Sequence, residues 1–379
     1  MRYSIEIPQA KLDYIKQRVS AYPWHATPID EGDSWARGVN QSSLKELCDY
    51  WVADFDWRAS EKELNRYPQF IQNIDGLEIH YVHVVGEAGG KRPIVLTHGW
   101  PGSHFEFWDV IERLAYPSKF GGNSTDAFDV VVPSLPGYGF SGKPSQLIGP
   151  RATAKLWNTL MTQTLGYKTY IAQGGDFGSL VSSFLALDFE QCVAVHLNMI
   201  GLQPPERKNK TDAELAWLKS YQATLNAECA YLQIHYTKPQ TLVASLHDSP
   251  VGCAAWIYEK MVAWSDPQSF NEGGQLSKDK LLTNIMIYLV NDAITTSIWF
   301  YRGFIEENAY QLAKSIEKPT GIANFLAEPV IKIPPRSWVE RMYEVAHWAE
   351  FEKGGHFAAM EQPQLFSADI QKFGSTIGY

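Results

Sequence analysis

Three acidic or basic side chains in this 379-residue chain stand where covalent chemistry could be done. Asp176 lies in Gln173-Gly174-Gly175-Asp176-Phe177-Gly178-Ser179, His356 in Gly354-Gly355-His356-Phe357, and Glu328 in Phe325-Leu326-Ala327-Glu328-Pro329. A carboxylate is a poor acyl acceptor, but it can displace at a saturated carbon and leave an alkyl ester. A histidine oriented by a glutamate then acts as base on water. The water attacks the ester carbonyl, and backbone N–H donors stabilise the oxyanion. Two substrate classes suit such a carboxylate, epoxides and alkyl halides. An opening epoxide leaves an alkoxide and needs a proton donor, for which a neutral tyrosine of pKa about 10 is suited. A departing halide wants N–H donors instead.

Each group also has an ordinary reading. Asp176 could cap a helix after a strand, His356 could bond to backbone at a helix start, and Glu328 could be a surface acid beside a proline. What separates the readings is where the elements put them. An apolar run, Thr169 to Ala172, precedes the Asp176 turn, and a helix-like run, Leu180 to Leu187, follows it. The glycines let so sharp a strand-to-helix turn close and let chain and substrate approach.

The surrounding chain alternates strands and helices. Pro93–Thr97 reads as a strand, followed by His98-Gly99-Trp100-Pro101-Gly102-Ser103 and a helix from about His104 to Leu114. Phe128–Val132 reads as a strand, Arg151–Leu165 as a helix and Val193–Met199 as a further strand. After an interruption, Pro319–Phe325 and Val345–Glu352 read as strands, Trp338–Tyr343 as a short helix and Ala358–Phe373 as the closing helix. Such alternation predicts a parallel sheet covered on both faces, with functional groups at the carboxyl ends of its strands. Ahead of it, Phe70–Ile74 and Leu77–Val84 flank Asp75-Gly76, a hairpin signal. His80 and His83 differ in parity on that strand, so they face opposite ways and cannot share a metal.

The division read from these patterns is a helical lead-in over residues 1–68, a core over 69–199, a helical insertion over 200–315 and a second core part over 316–379. In the lead-in, Gln9–Val19 and Ser43–Phe55 carry apolar residues at helical spacing, the second with a serine at its start. In the insertion, Asp212–Cys229, Tyr258–Trp264 and Lys278–Arg302 read as helices.

Composition narrows the partners. Net charge is −9 with no long charge run, which argues against nucleic acid. Arg207-Lys208-Asn209-Lys210 reads as a solvated loop. Gly86 to Lys91 is one residue short of a phosphate loop, with Arg92 where Ser or Thr is required. Four separated cysteines form no C-x-x-C pair and suit a reducing cytosol. The first residues lack the apolar run of a signal or anchor, and no stretch nears the roughly 20 apolar residues that span a bilayer. A cytoplasmic protein without membrane attachment is expected, its sequon Asn123-Ser124-Thr125 idle. No metal or cofactor is called for. Aromatic content of 13%, with thirteen tryptophans, suits an aromatic-lined pocket.

Gly174-x-Asp176-x-Gly178 resembles the nucleophile elbow of α/β-hydrolases with Asp where Ser usually stands. That fold implies a mostly parallel central sheet and the order nucleophile, acid, histidine. Glu328 is then the acid, with Asp292 in the insertion as a weaker alternative, and the amides of Trp100 and Phe177 form the oxyanion hole. As a set, His98 to Ser103, Gly174 to Ser179 and Gly354 to Ala359 resemble the microsomal-type epoxide hydrolases. Tyr236-Thr237-Lys238-Pro239, Asp248-Ser249-Pro250-Val251-Gly252 and Asp56-Trp57-Arg58 resemble the same family, the last within its N-terminal meander. The resemblance spans nearly the whole chain. It implies a helical cap with two tyrosines that hold the epoxide oxygen, which fall on Tyr231 and on Tyr301 in Trp299-Phe300-Tyr301-Arg302. It implies conversion of a small epoxide, apolar or aromatic, to a vicinal diol. A homodimer is one assembly it allows. The chain departs from the family in lacking the N-terminal membrane anchor of mammalian members and in Leu326, at a site often held by Pro. A dehalogenase using the same Asp176, and a ligand-binding relative without catalysis, are the competing readings.

Overall fold

Pro93–Thr97, Asp129–Pro133 and Tyr170–Gly174 are five-residue runs in which every residue is buried. Runs of this kind belong to parallel strands covered on both faces. In the computed structural model, which describes all residues except 28–31, 33, 206–208, 272 and 309, they lie in the middle of one sheet. Its strands are β1 (Arg2–Tyr3), β2 (Gln69–Ile74), β3 (Leu77–Val84), β4 (Pro93–Thr97), β5 (Asp129–Pro133), β6 (Tyr170–Gly174), β7 (Cys192–Leu197), β8 (Ile316–Phe325) and β9 (Tyr343–Phe351). Their order is β1-β2-β3-β5-β4-β6-β7-β8-β9. The first three pairings are antiparallel and the remaining five parallel. The β2–β3 hairpin turns at Asp75 and Gly76, both at positive φ (50° and 86°), as expected of a two-residue turn that follows the sheet twist.

Register fixes what meets at the carboxyl ends. Thr97 of β4 pairs with Gly174 of β6, and Gly174 pairs in turn with Leu197 of β7. The loop after β4 and the turn after β6 therefore leave the sheet side by side. The loop after β8 and the loop after β9 follow at the same end of the next two strands.

Among the described residues, six α-helices lie between β7 and β8: Asp212–Glu228, Ala230–Thr237, Pro239–Asp248, Pro250–Trp264, Lys278–Val290 and Ala293–Glu306. The expected single helix Lys278–Arg302 is two helices bent by 85°. The break falls at Asn291 and Asp292, and Asp292 adopts a left-handed φ of 51°. The expected Tyr258–Trp264 extends back to Pro250, where Ser249 caps it. The closing helix is also divided, because Pro363 starts a new helix after Ala358–Glu361. Arg207 and Lys208 lie outside the described residues.

In the lead-in, the helices are Gln9–Ser20, Gln41–Ala53 and Trp57–Leu64. The second is capped by Asn40, not by a serine: the Asn40 side chain accepts from the Ser43 N–H at 3.0 Å. This segment is strapped to the helices between β7 and β8. Arg18 bonds Asp248, Lys11 bonds Asp292, Lys278 bonds Glu46, and Ser60 bonds Thr283. The ion pairs are exposed or half-exposed and each contributes little alone, but the apolar faces beneath them join one continuous core.

Candidate active site

The turn after β6 places Asp176 at the first position of the helix Asp176–Asp188, with φ 45°. A left-handed φ is strained for a residue with a Cβ, so its neighbours must allow it. They do so by close approach. A Cβ on Gly178 would stand 1.8 Å from the Thr97 carbonyl oxygen, and one on Gly99 would stand 2.1 Å from Asp176 Oδ1. The absence of side chains there lets β4, its loop and the elbow touch. As a result the Trp100 N–H donates to Asp176 Oδ1 at 2.9 Å. The N–H of Phe177, in the first turn of the helix, is one of the donors that a helix start leaves without an intrahelical acceptor.

His356 faces the other oxygen, with Nε2 3.4 Å from Asp176 Oδ2. That is an ion-pair distance, too long for a well-formed hydrogen bond. On the far side of the ring, Nδ1 lies 2.8 Å from Glu328 Oε2. Glu328 Oε1 accepts from the N–H groups of Val330 and Ile331 at 2.7 and 3.0 Å, so the carboxylate is fixed at both ends. Burial alone would lower the proton affinity of His356, but Glu328 and Asp176 outweigh it and hold the imidazole well above its usual range. Asp292 is elsewhere, paired with Lys11 of the helix Gln9–Ser20.

Tyr231 comes from the helix Ala230–Thr237 and Tyr301 from Ala293–Glu306. Their rings lie 6.0 Å apart, nearly perpendicular. Tyr231 stacks on Trp100 at 5.2 Å, and Tyr301 meets Phe177 edge-on at 4.6 Å. Both phenols are buried, which together with the nearby Asp176 charge raises them well above their ordinary pKa. They are neutral O–H donors at any ordinary pH. Asp176, His356, Glu328, Tyr231, Tyr301, Trp100 and Phe177 are thus all brought to one site.

A family profile described as "Epoxide hydrolase N terminus" matches residues 1–107, and one for the alpha/beta hydrolase fold matches residues 92–230. A protein of Stigmatella aurantiaca is 39% identical over 378 residues, covering 98% of this chain and 83% of its own. Epoxide hydrolase 1 of Sus scrofa is 33% identical over 98% of this chain and 87% of its own. The solved structure of Aspergillus niger epoxide hydrolase superposes with a TM-score of 0.85 at 31% identity, covering 99% of this chain and 96% of the other. The chain belongs to the epoxide hydrolase family. It is an enzyme of the α/β-hydrolase fold that hydrolyses small-molecule epoxides.

Among the described residues, no single helix of this epoxide hydrolase is long and apolar enough to cross a membrane. The bent pair Lys278–Val290 and Ala293–Glu306 passes by composition only together, and it lines the site.

Three side chains that motif reading passed over complete the surroundings. Glu361 clamps the His356 loop: its carboxylate accepts from the N–H groups of Gly355, Phe357 and Asp266 at 3.1, 2.9 and 2.7 Å and from the Ser269 hydroxyl at 2.9 Å. Burial pushes its pKa up to about 7 against those four donors. His235 packs edge-on to Tyr301 and takes the Trp256 indole N–H on Nε2. Burial first, then the Lys260 charge, lowers its pKa to about 3, so it is a neutral wall residue. Glu106, eight residues after His98, lines a small cavity together with Asp176 and His356. Only the glycine pair before His356 hinted at the Glu361 clamp, and nothing in local spacing singled out Glu106.

Proposed function

We propose that Asp176 is the nucleophile of this epoxide hydrolase, His356 the base, Glu328 its orienting acid, Tyr231 and Tyr301 the proton donors, and the amides of Trp100 and Phe177 the oxyanion hole. The observation that carries the reading is the divided use of the Asp176 carboxylate. Oδ1 is held by the Trp100 N–H, while Oδ2 faces His356 Nε2. Oδ2 attacks an epoxide carbon, the carbon–oxygen bond breaks, and the alkoxide takes a proton from a phenol. Asp176 is then a neutral ester. Loss of its charge removes one of the two anions that keep His356 protonated, so the imidazole gives up its proton to restore the phenol and becomes a base. Water loses a proton to Nε2 and adds to the Asp176 carbonyl, whose oxygen lies at the N–H donors. Collapse expels the diol and restores the ion pair.

The walls are Trp100, Phe177, Trp264 and Phe300 besides the tyrosines, all buried. They favour an apolar or aromatic substituent on the epoxide. The four-part division at residues 68, 199 and 315 belongs to this reading, with the cap supplying both tyrosines. So does residence in the cytoplasm, for which four buried free thiols are suited.

The test is a single turnover of excess enzyme with styrene oxide in heavy-oxygen water. Label is expected in Asp176 and not in the first-formed diol. Label appearing directly in that diol overturns the ester mechanism.

A further inference from the structure

Glu106 is a titratable group beside the reacting atoms that the steps above do not use. It sits in the short 3-10 turn His104–Phe107 after the β4 loop. A Cβ on Gly102 would stand 1.4 Å from Glu106 Oε1, so the carboxyl occupies the space that glycine leaves. The carboxyl takes the Gly99 N–H and is near enough to Asp176 and His356 to respond to both charges. Its half-exposure comes from facing two cavities, an outer one shared with the lead-in and an inner one behind Asp176.

The inner cavity has Glu106, Asp176, Asn198 and His356 on its polar side, and Phe107 and Phe366 among its apolar walls. It offers about 10 Å³ to the centre of a water-sized sphere, close to what one water molecule needs. His356 Nε2 is buried and has no hydrogen-bond partner among the protein groups. A buried ring nitrogen with no hydrogen bond beyond its long ion-pair contact to Asp176, next to a cavity of this size that carboxyl and amide groups line on one side, marks a place for water rather than for a carbon chain.

We propose that Glu106 is a further catalytic residue: with His356 Nε2 it holds the water that cleaves the Asp176 ester. The proposal rests on Asp176 being the nucleophile. The water gives one proton to Nε2 as its oxygen bonds to the Asp176 carbonyl carbon. Its second hydrogen stays on oxygen and points to the Glu106 carboxyl, fixing the lone pair toward the ester. The ester C–O bond then breaks, and the departing alkyl oxygen takes the proton from Nε2. Burial, opposed by His356 and reinforced by Asp176, pushes Glu106 up to about 8, so it is mostly neutral, and its carbonyl oxygen accepts from the water.

Rapid-quench single turnovers with styrene oxide separate ester formation from ester breakdown. For Glu106→Leu, which keeps the bulk and removes the acceptor, the expected result is formation within roughly threefold of wild type and breakdown slowed roughly tenfold or more, so the ester accumulates. Gly102→Ala, which displaces the carboxyl without removing it, is expected to show the same split and serves if the leucine variant does not fold. Wild-type breakdown in a folded variant, or equal slowing of both steps, overturns the role. If wild type itself forms no ester, the nucleophile assignment fails instead, which is a different outcome from failure of Glu106.

Discussion

Glu328 Oε2 lies 2.8 Å from His356 Nδ1 while its partner oxygen is held by two backbone N–H groups, so the acid that orients the histidine cannot turn away from it. The proton on Nδ1 is fixed by this contact, which leaves Nε2 to face the nucleophile.

Glu328→Gln keeps the shape and removes the charge. Glu328 raises the proton affinity of His356, so its loss lowers that affinity. Ester breakdown needs neutral imidazole. Its acid limb should therefore move to lower pH, while the plateau rate falls about 10²-fold or more because the imidazolium loses its counter-charge. A pH profile of ester breakdown checks this; an acid limb moving to higher pH would contradict the assignment.

Tyr231→Phe and Tyr301→Phe each remove one O–H and leave the aromatic packing on Trp100 and Phe177. Each should slow ester formation about 10- to 100-fold, with a smaller effect on ester breakdown, and the double substitution should abolish ester formation. Rapid-quench detection of the alkylated enzyme is the measurement. Full activity of the double variant would remove both residues from the site.

Gly178→Ala places a methyl 1.8 Å from the Thr97 carbonyl oxygen, against backbone that cannot step aside without parting β4 from the elbow. A loss of about 3 kcal/mol or more in unfolding free energy is expected, with activity lost in whatever folds. Denaturant titration measures the first, and a stability within about 0.5 kcal/mol of wild type would refute the close approach.

Glu361→Ala touches no reacting group. It leaves three buried N–H groups and a hydroxyl without their acceptor. A stability loss of about 3 kcal/mol is expected, together with a lower turnover because the His356 loop is no longer held to Asp266 and Ser269. Denaturant titration and steady-state kinetics on the same preparation check both.

The elbow, the β4 loop and the His356 loop were legible because glycine spacing and strand–helix alternation are local signals. The apolar runs of β4 to β6 gave the parallel sheet for the same reason. Glu106 was not legible: in sequence it is one acid in the run His104 to Leu114, and only the β4–β6 register brings it to Asp176. The bend in Lys278–Arg302 was hidden for a different cause. Asn291 and Asp292 are ordinary polar residues within an apolar period, and nothing local announces that Asp292 takes a left-handed φ. Asn40 caps the helix three residues before the serine at its expected start, because Asn and Ser are equally good caps and local sequence does not choose between them.

The bent helix pair has a consequence for how the enzyme can change its substrate range. Its first arm holds the β4 loop, with Asn284 bonding the Pro101 carbonyl at 2.8 Å and Tyr288 the Gly102 carbonyl at 2.5 Å. Its second arm carries Tyr301. One stretch of chain thus aligns both the oxyanion donor and a proton donor, and the bend sets the angle between them. Variation that reshapes the pocket is more freely drawn from the helix Pro239–Asp248, which among the described residues makes no hydrogen bond to the β4 loop. Laboratory selection for new epoxides should accumulate changes there and leave Asn284, Tyr288 and Asn291-Asp292 alone.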